Sequence, residues 1–273
     1  MYRILKKEQL NPNVFLLEIT APAVAKKARP GQFVILRVDE RGERIPLTIA
    51  GFDRGAGTVR VIFQAVGLTT YKLAGLGEGD ALADFVGPLG KASDLSGIQS
   101  AAIVGGGLGS AICYPLACAL KEQGAEIDVI MGFRTAELVF LEEEFKALSN
   151  RFYLTTDDGS KGEKGFVTGP LERLLFERNY DVVYAVGPLP MMKNVAKLTK
   201  KYEQKTIVSM NPIMIDGTGM CGGCRLTVGG EVKFACVDGP EFDGHAVDFD
   251  EAITRTAMYE HEEKEALCRL KGI

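Results

Sequence analysis

Three of the six cysteines fall within sixteen residues: Cys221 and Cys224, separated by two residues, then Cys236 after eleven more. They belong to the run Asp216-Gly217-Thr218-Gly219-Met220-Cys221-Gly222-Gly223-Cys224. Plant-type [2Fe–2S] proteins space their ligands C-x4-C-x2-C with a distant fourth Cys. Asp216 occupies the first position of that pattern, so the candidate ligands are Asp216, Cys221, Cys224 and Cys236. Thiolates are the soft donors an iron–sulfur cluster selects. The interleaved glycines let the loop take positive φ and bring amides close to the sulfurs. Three thiolates and a carboxylate at short spacing also suit zinc, and these residues alone leave both metals open. An intracellular setting argues against a disulfide.

Two further groups of residues have the chemistry to hold phosphates. Arg44-Ile45-Pro46-Leu47-Thr48 combines a guanidinium with a hydroxyl on one strand, a pairing that can fork onto a phosphate. Gly67-Leu68-Thr69-Thr70 then opens a helix, whose first amides and hydroxyls favour an anion. Alone, Arg44 reads better as a solvated surface charge, and Thr69 as a plain cap, which is compatible with phosphate binding. The second group is Gly105-Gly106-Gly107-Leu108-Gly109-Ser110, which follows a short apolar strand and starts a helix. Such a loop brings backbone amides to a dinucleotide pyrophosphate. Ser110 replaces the third glycine of the strict fingerprint, and a glycine-rich turn without a ligand is the competing reading. Val186-Gly187-Pro188-Leu189-Pro190-Met191-Met192 lies after a later strand, at the sheet edge where ligands gather, and its methionines can equally serve as helix core.

These residues need elements to position them. Over 1–98 the chain reads as short strands, among them Val14–Ile19, Gln32–Val38 and Thr58–Phe63. Turns at Asn11-Pro12-Asn13, Pro30-Gly31 and Gly55-Ala56-Gly57 separate them, and one helix is expected near Thr69–Leu76. That spacing predicts a small antiparallel barrel. Over 99–210 strands alternate with helices: strands at Ala101–Val104, Ile127–Gly132, Phe152–Thr156, Asp181–Val186 and Thr206–Met210, helices at Ala111–Gln123, Ala136–Leu148, Pro170–Glu177 and Pro190–Lys201. Alternation predicts a doubly wound parallel sheet. Residues 211–245 carry the cysteines, and 248–271 read as one terminal helix. It would expose Glu260, Glu262, Glu263, Lys264, Glu265 and Lys271. The domain expectation is therefore 1–98, 99–210 and 211–273. Cys113 and Cys118 fall in an apolar helix, as core residues do.

With 273 residues the chain is long enough for two domains or one large one. A net charge of −4 and no long basic run make nucleic acid a poor partner. The opening Met1-Tyr2-Arg3-Ile4-Leu5-Lys6-Lys7 is charged and strand-like, unlike a signal peptide, and no apolar run reaches the ~18 residues of a membrane span. The expectation is a cytoplasmic protein without a membrane partner. The second strand ends Gly132-Phe133-Arg134-Thr135, and an Arg there nominally suits a 2′-phosphate, which leaves NAD and NADP both open.

Pro30-Gly31-Gln32-Phe33-Val34, Arg44-x-Pro46-Leu47-Thr48 and Gly87-Pro88-Leu89-Gly90 together resemble the flavin barrel of the ferredoxin–NADP reductase superfamily. Leu47 stands where that family's Arg-x-Tyr-Ser motif has Tyr, so the aromatic flavin contact is missing. Ala185-Val186 stand in for the Cys of the family's Cys-Gly-Pro segment beside the nicotinamide. Thr156-Asp157-Asp158-Gly159-Ser160 resembles a segment of the iron–sulfur branch and takes no role. The order barrel, nucleotide fold, cluster segment resembles two groups in that branch. One is the electron-transfer subunit of dihydroorotate dehydrogenase, with four cysteine ligands. The other is the small subunit of NADH-dependent ferredoxin:NADP oxidoreductase, also known as a sulfide dehydrogenase, where Asp replaces the first.

Asp216 and the long tail point to the second. The resemblance implies FAD at Arg44, Pro46, Leu47, Thr48, Gly67, Thr69 and Thr70. It implies NAD(H), or NADP, at Gly105, Gly106, Gly107, Gly109, Gly187, Pro188 and Met191. It further implies a [2Fe–2S] cluster and a larger flavoprotein/iron–sulfur subunit in an electron-bifurcating heterodimer, with ferredoxin reached through that partner. Hydride transfer to flavin calls for no protein acid or base, so no catalytic residue is expected. Two other classes remain: a colourless zinc protein without redox chemistry, and a free-standing reductase with a soluble acceptor.

Overall fold

The structure, a computed structural model, describes residues 2–271. The first part contains β1 (Tyr2–Asn11), β2 (Val14–Thr20), α1 (Pro22–Lys27), β3 (Phe33–Arg37), β4 (Arg44–Asp53), β5 (Thr58–Gln64), α2 (Leu68–Gly75), β6 (Ala81–Leu82) and β7 (Asp84–Leu89). The seven strands pair antiparallel in the order β6-β1-β2-β5-β4-β3-β7 and form a barrel. Alternate residues turn inward, so Leu17, Ile19, Val34, Leu36, Val59, Val61 and Phe63 fill one core. Strands β6 and β7 and helix α1 went beyond the sequence expectation. Pro22 at the first helical position was the readable signal for α1, since its fixed φ suits a helix start.

The second part contains β8 (Ser100–Gly106), α3 (Gly109–Glu122), β9 (Glu126–Phe133), α4 (Glu142–Leu148), β10 (Arg151–Thr156), β11 (Glu163–Lys164), α5 (Thr168–Glu177), β12 (Val182–Val186), α6 (Leu189–Lys201) and β13 (Thr206–Ser209). The tail adds β14 (Arg225–Val228), β15 (Glu231–Phe234), β16 (Glu241–Asp243), α7 (Phe249–Thr256) and α8 (Glu260–Lys271). The central sheet runs β11-β10-β9-β8-β12-β13-β16. It is parallel as expected, except that β16 pairs antiparallel with β13. The tail thus supplies an edge strand to the nucleotide sheet. Gly229 and Gly230, with φ of 61° and 80°, make the two-residue turn joining β14 to β15.

Two elements differ from the sequence reading. The helix expected over Ala136–Leu148 is broken into a 3-10 turn at Ala136–Leu138 and α4. Phe140 leaves the helical path to enter the core, edge-on to Phe133 at 5.6 Å. Leu141 then takes φ 57°, and Glu142, Glu143 and Glu144 start the new helix at its positive end. The single terminal helix is likewise divided, into α7, a 3-10 turn at Ala257–Tyr259, and α8. Thr254 and Thr256 donate their hydroxyls back to the carbonyls of Asp250 and Ala252, a bond that bends helices. Glu262, Lys264 and Glu265 are exposed as expected; the side chains of Glu260 and Lys271 lie outside the described residues.

Candidate functional site

The cysteine loop is organised by its own carboxylate. Asp216 Oδ1 accepts the N–H of Thr218 at 3.0 Å, and Oδ2 accepts those of Met220 at 3.1 Å and Cys221 at 2.8 Å. The Thr218 amide foremost, with those of Cys221 and Met220 and the Cys221 thiol, holds the Asp216 carboxyl below the usual range. Gly217 has φ 75°, and a Cβ there would lie 2.7 Å from Leu89 and 2.8 Å from Ile35. The loop therefore rests directly on barrel strands β3 and β7. Ile35 pairs with Pro46 across β3 and β4, so the loop sits one strand away from the Arg44–Thr48 segment.

Cys236 comes from the turn after β15, which Asp238 fixes by accepting the Phe234 N–H at 2.8 Å. Its Sγ lies 3.2 Å from Cys224 Sγ, and both side chains are buried in the core that also holds Phe33 and Ile35. Burial, with Cys224 next to it, pushes the Cys236 thiol up to about 12. Cys221 is exposed, between Met220 and Gly222. Among the described residues no three His, Cys, Asp or Glu side chains converge as a ready-made site for a single ion. The donors instead form two pairs: the Asp216 carboxylate takes the Cys221 thiol as well as its amide, and Cys224 Sγ lies beside Cys236 Sγ. A binuclear cluster takes two protein ligands per iron, whereas structural zinc wants four donors around one ion. The donor set and its pairing fit [2Fe–2S] better than zinc.

The glycine loop and the Gly187-Pro188 turn meet at the carboxyl ends of β8 and β12, where the strand order reverses. They border a cleft of about 1110 Å³. Gly106, Gly107, Gly109, Gly187, Pro188 and Met191 all line it; Gly105 does not. Most of these glycines answer to packing. A Cβ on Gly109 would stand 2.1 Å from the Val186 carbonyl, and one on Gly106 would stand 2.3 Å from Met191 Sδ. Gly107, at φ 52° with nothing within 4 Å, alone presents open backbone. Behind it Ser110 is fully buried, and among the described residues its hydroxyl has no partner. The opposite wall is barrel: Val14, Gln64 and Val66. Arg134 and Asp157 line the same cleft after β9 and β10. Neither Gln64 nor Asp157 had carried a role in the sequence.

The barrel set lies outside that cleft. Arg44 is half-exposed on β4, 4.0 Å from Asp84, which takes its main ion pair from Arg37 at 2.7 Å. Pro46, Leu47 and Thr48 are half-buried. The Thr69 hydroxyl donates to Glu43 at 2.8 Å, which ties the start of β4 to the first turn of α2. Thr70 Oγ1 accepts the N–H groups of Val66 and Gly67, both at 2.9 Å, and donates to the Gly67 carbonyl at 3.0 Å. Thr70 therefore caps α2, and its hydroxyl is used up within the turn. The first-turn amides of Leu68 and Thr69 have no intrahelical acceptor and so suit an anion.

A barrel docked on a doubly wound sheet, with a cysteine loop seated on the barrel, defines a modular electron-transfer protein. Residues 211–248 match the family described as the iron-sulfur cluster binding domain of dihydroorotate dehydrogenase B. A Thermotoga maritima protein named dihydroorotate dehydrogenase B (NAD(+)), electron transfer subunit homolog, is 48% identical over 96% of this chain and 92% of its own length. The corresponding electron transfer subunit of Fusobacterium nucleatum is 33% identical over 86% of this chain and 92% of its own. A chain from the solved structure of an NADH-dependent reduced ferredoxin-NADP oxidoreductase, studied for flavin-based electron bifurcation, superposes with a TM-score of 0.94. It is 46% identical, with 99% of this chain and 98% of that one covered. The chain belongs to the dihydroorotate dehydrogenase B electron-transfer subunit family, in the iron–sulfur branch of the ferredoxin–NADP reductase superfamily.

Proposed function

We propose that this chain is the flavin- and iron–sulfur-bearing subunit of an electron-bifurcating NADH-dependent ferredoxin:NADP oxidoreductase. It is an NAD(H)-dependent oxidoreductase subunit with FAD, [2Fe–2S] and NAD(H) as cofactors, and it works with a larger flavoprotein subunit through which ferredoxin is reached. A nicotinamide moves two electrons as hydride and a cluster moves one at a time, so bound FAD is the exchanger between them. The observation that carries this reading is the seating of Gly217 on Ile35 and Leu89. It puts the cluster loop on the same barrel whose Val14, Gln64 and Val66 wall the nucleotide cleft.

The residues serve by positioning. Arg44 and Thr48, with the first amides of α2, would hold the flavin phosphates, and Pro46 on the same face of β4 would give the ring an apolar wall, while Leu47 packs against the barrel core behind it. Gly107 and the start of α3 would take the pyrophosphate, with Gly105, Gly106 and Gly109 giving the close packing behind it. Gly187, Pro188 and Met191 would border the nicotinamide. Asp216, Cys221, Cys224 and Cys236 would hold the cluster. The segments 1–98, 99–210 and 211–273 serve as flavin, nucleotide and cluster units, with β16 returned to the middle one.

Asp216 at the first ligand position favours the bifurcating enzyme, and the superposition of a chain of such an enzyme over 99% of this one is consistent with it. The second reading, an electron-transfer subunit of dihydroorotate dehydrogenase, is supported by the names of the relatives and by the match over 211–248.

The test is composition followed by turnover. The purified chain is expected to contain FAD and two irons with two acid-labile sulfides. It should reduce artificial dyes with NADH, and it should reduce neither ferredoxin nor NADP until a larger subunit is added. A colourless, zinc-containing chain overturns the redox reading, and ferredoxin-dependent turnover by this chain alone overturns the subunit reading. With the larger subunit present, dihydroorotate as the electron donor would select the second reading.

A further inference from the structure

Helix α7 grips the cluster hairpin along one face. Glu251 and Arg255 are four residues apart and so project from the same side. Glu251 Oε2 accepts the N–H of Thr227 in β14 at 2.9 Å. Arg255 Nη2 donates to the carbonyl of Gly223 at 3.4 Å. Gly223 lies inside the turn between Cys221 and Cys224, and its own N–H faces Cys221 Sγ at 3.5 Å. The Asp248 N–H, at the head of α7, donates to the Thr227 carbonyl at 2.9 Å. The helix and its cap therefore hold the hairpin at three points, and one of these is a guanidinium bonded to the ligand turn.

We propose that Arg255 is a positioning residue for the cluster: it fixes the Cys221–Cys224 turn through the Gly223 carbonyl and holds a permanent positive charge beside it that favours the reduced cluster. The inference rests on the [2Fe–2S] reading above. Net charge and hydrogen bonding around a cluster set its potential. One-electron reduction adds a negative charge, which a nearby cation stabilises, and Arg stays charged at every working pH. Arg255 is partly buried, so water screens it less than a surface arginine. A plainer role exists, because a cation in the last turn of α7 also suits the helix dipole. That role would leave the cluster potential unchanged.

The test is a redox titration of the purified chain, followed by visible absorption and electron paramagnetic resonance, with dithionite as the one-electron reductant. Arg255→Gln is expected to lower the reduced-to-oxidised ratio at a fixed ambient potential by about tenfold, or 59 mV for one electron. Iron and FAD content should stay at wild-type levels. Arg255→Lys keeps the charge and should stay within about threefold of wild type. A wild-type potential in iron-replete Arg255→Gln overturns the proposal. If Arg255→Gln loses iron, Arg255→Lys decides: a potential within threefold of wild type supports the charge, and a tenfold shift overturns it. Failure of the cluster reading would show separately, as the absence of iron and labile sulfide in the wild-type chain.

Discussion

Asp216 accepts three amide hydrogens from the loop it begins, with the Cys221 thiol as its fourth partner, and loss of that thiol proton on cluster binding would leave one of its roughly four lone-pair sites for iron. It can therefore shape the loop and donate to iron at once. The two roles separate by substitution. Asp216→Ala removes both, and the purified chain should lose most of its iron and its charge-transfer absorption. Asp216→Cys restores a soft donor without the amide contacts, and it should keep a cluster with an altered paramagnetic spectrum. A wild-type spectrum in Asp216→Ala would take Asp216 out of the ligand set. The spacing of Asp216, Cys221, Cys224 and Cys236 was legible in the sequence, because the pattern is local. The contact of Gly217 with Ile35 and Leu89 was not, since it joins residues more than a hundred positions apart. Gly105, Gly106 and Gly109 show the converse: their pattern read as phosphate binding, while in the fold their missing side chains mainly admit Met131, Met191 and the Val186 carbonyl.

At the scale of elements, period and punctuation located five of the seven strands of the central sheet and most of the helices, and tertiary packing decided the rest. Phe140 broke α4 because burying an aromatic ring outweighs a few residues of helix propensity. The strand β16 has three residues and no period to read; only its pairing with β13 defines it. This strand carries Glu241, which accepts the Ser93 hydroxyl at 2.6 Å and so ties the tail to the segment leaving the barrel. Burial raises the Glu241 pKa, opposed by the Ser93 bond. A carboxyl with a raised pKa takes up a proton on folding. Its contribution to stability is therefore complete below the unfolded value of 4.5 and is lost as pH rises through the folded one. Glu241→Gln keeps an acceptor for Ser93 without the charge. It should match the wild-type melting temperature at pH 4.5 and exceed it by a few degrees at pH 7.5. Parallel melting curves for the two proteins across that range would show that Glu241 stays ionised at no cost.

At the scale of the whole molecule, the cluster loop shows opposite faces to the protein and to solvent. Gly217, Cys224 and Cys236 face inward, onto the core shared by sheet and barrel. Met220 and Ile215 face outward, 89% and 55% exposed, on either side of Asp216, with Val237 close by at 40%. Two large apolar side chains flanking an exposed Cys221 are costly to keep in water and suit a covered interface. Phe166 and Phe176 are also exposed, at 72% and 85%, but this rim borders the cluster ligands, so it is where the larger subunit should dock for the cluster to face its acceptor. Fully burying a methionine or an isoleucine contributes about 1.5–3 kcal/mol each. The double variant Met220→Ser, Ile215→Ser should therefore weaken binding to a co-expressed larger subunit at least tenfold, read by analytical ultracentrifugation. NADH-to-dye turnover by the chain alone depends on the cleft and the barrel and should stay near wild type. Ferredoxin-dependent turnover by the mixed subunits should fall in step with the heterodimer and recover when the larger subunit is added in excess. Unchanged affinity in the double variant would place the interface elsewhere, and lost dye reduction would mean the two side chains support the fold itself.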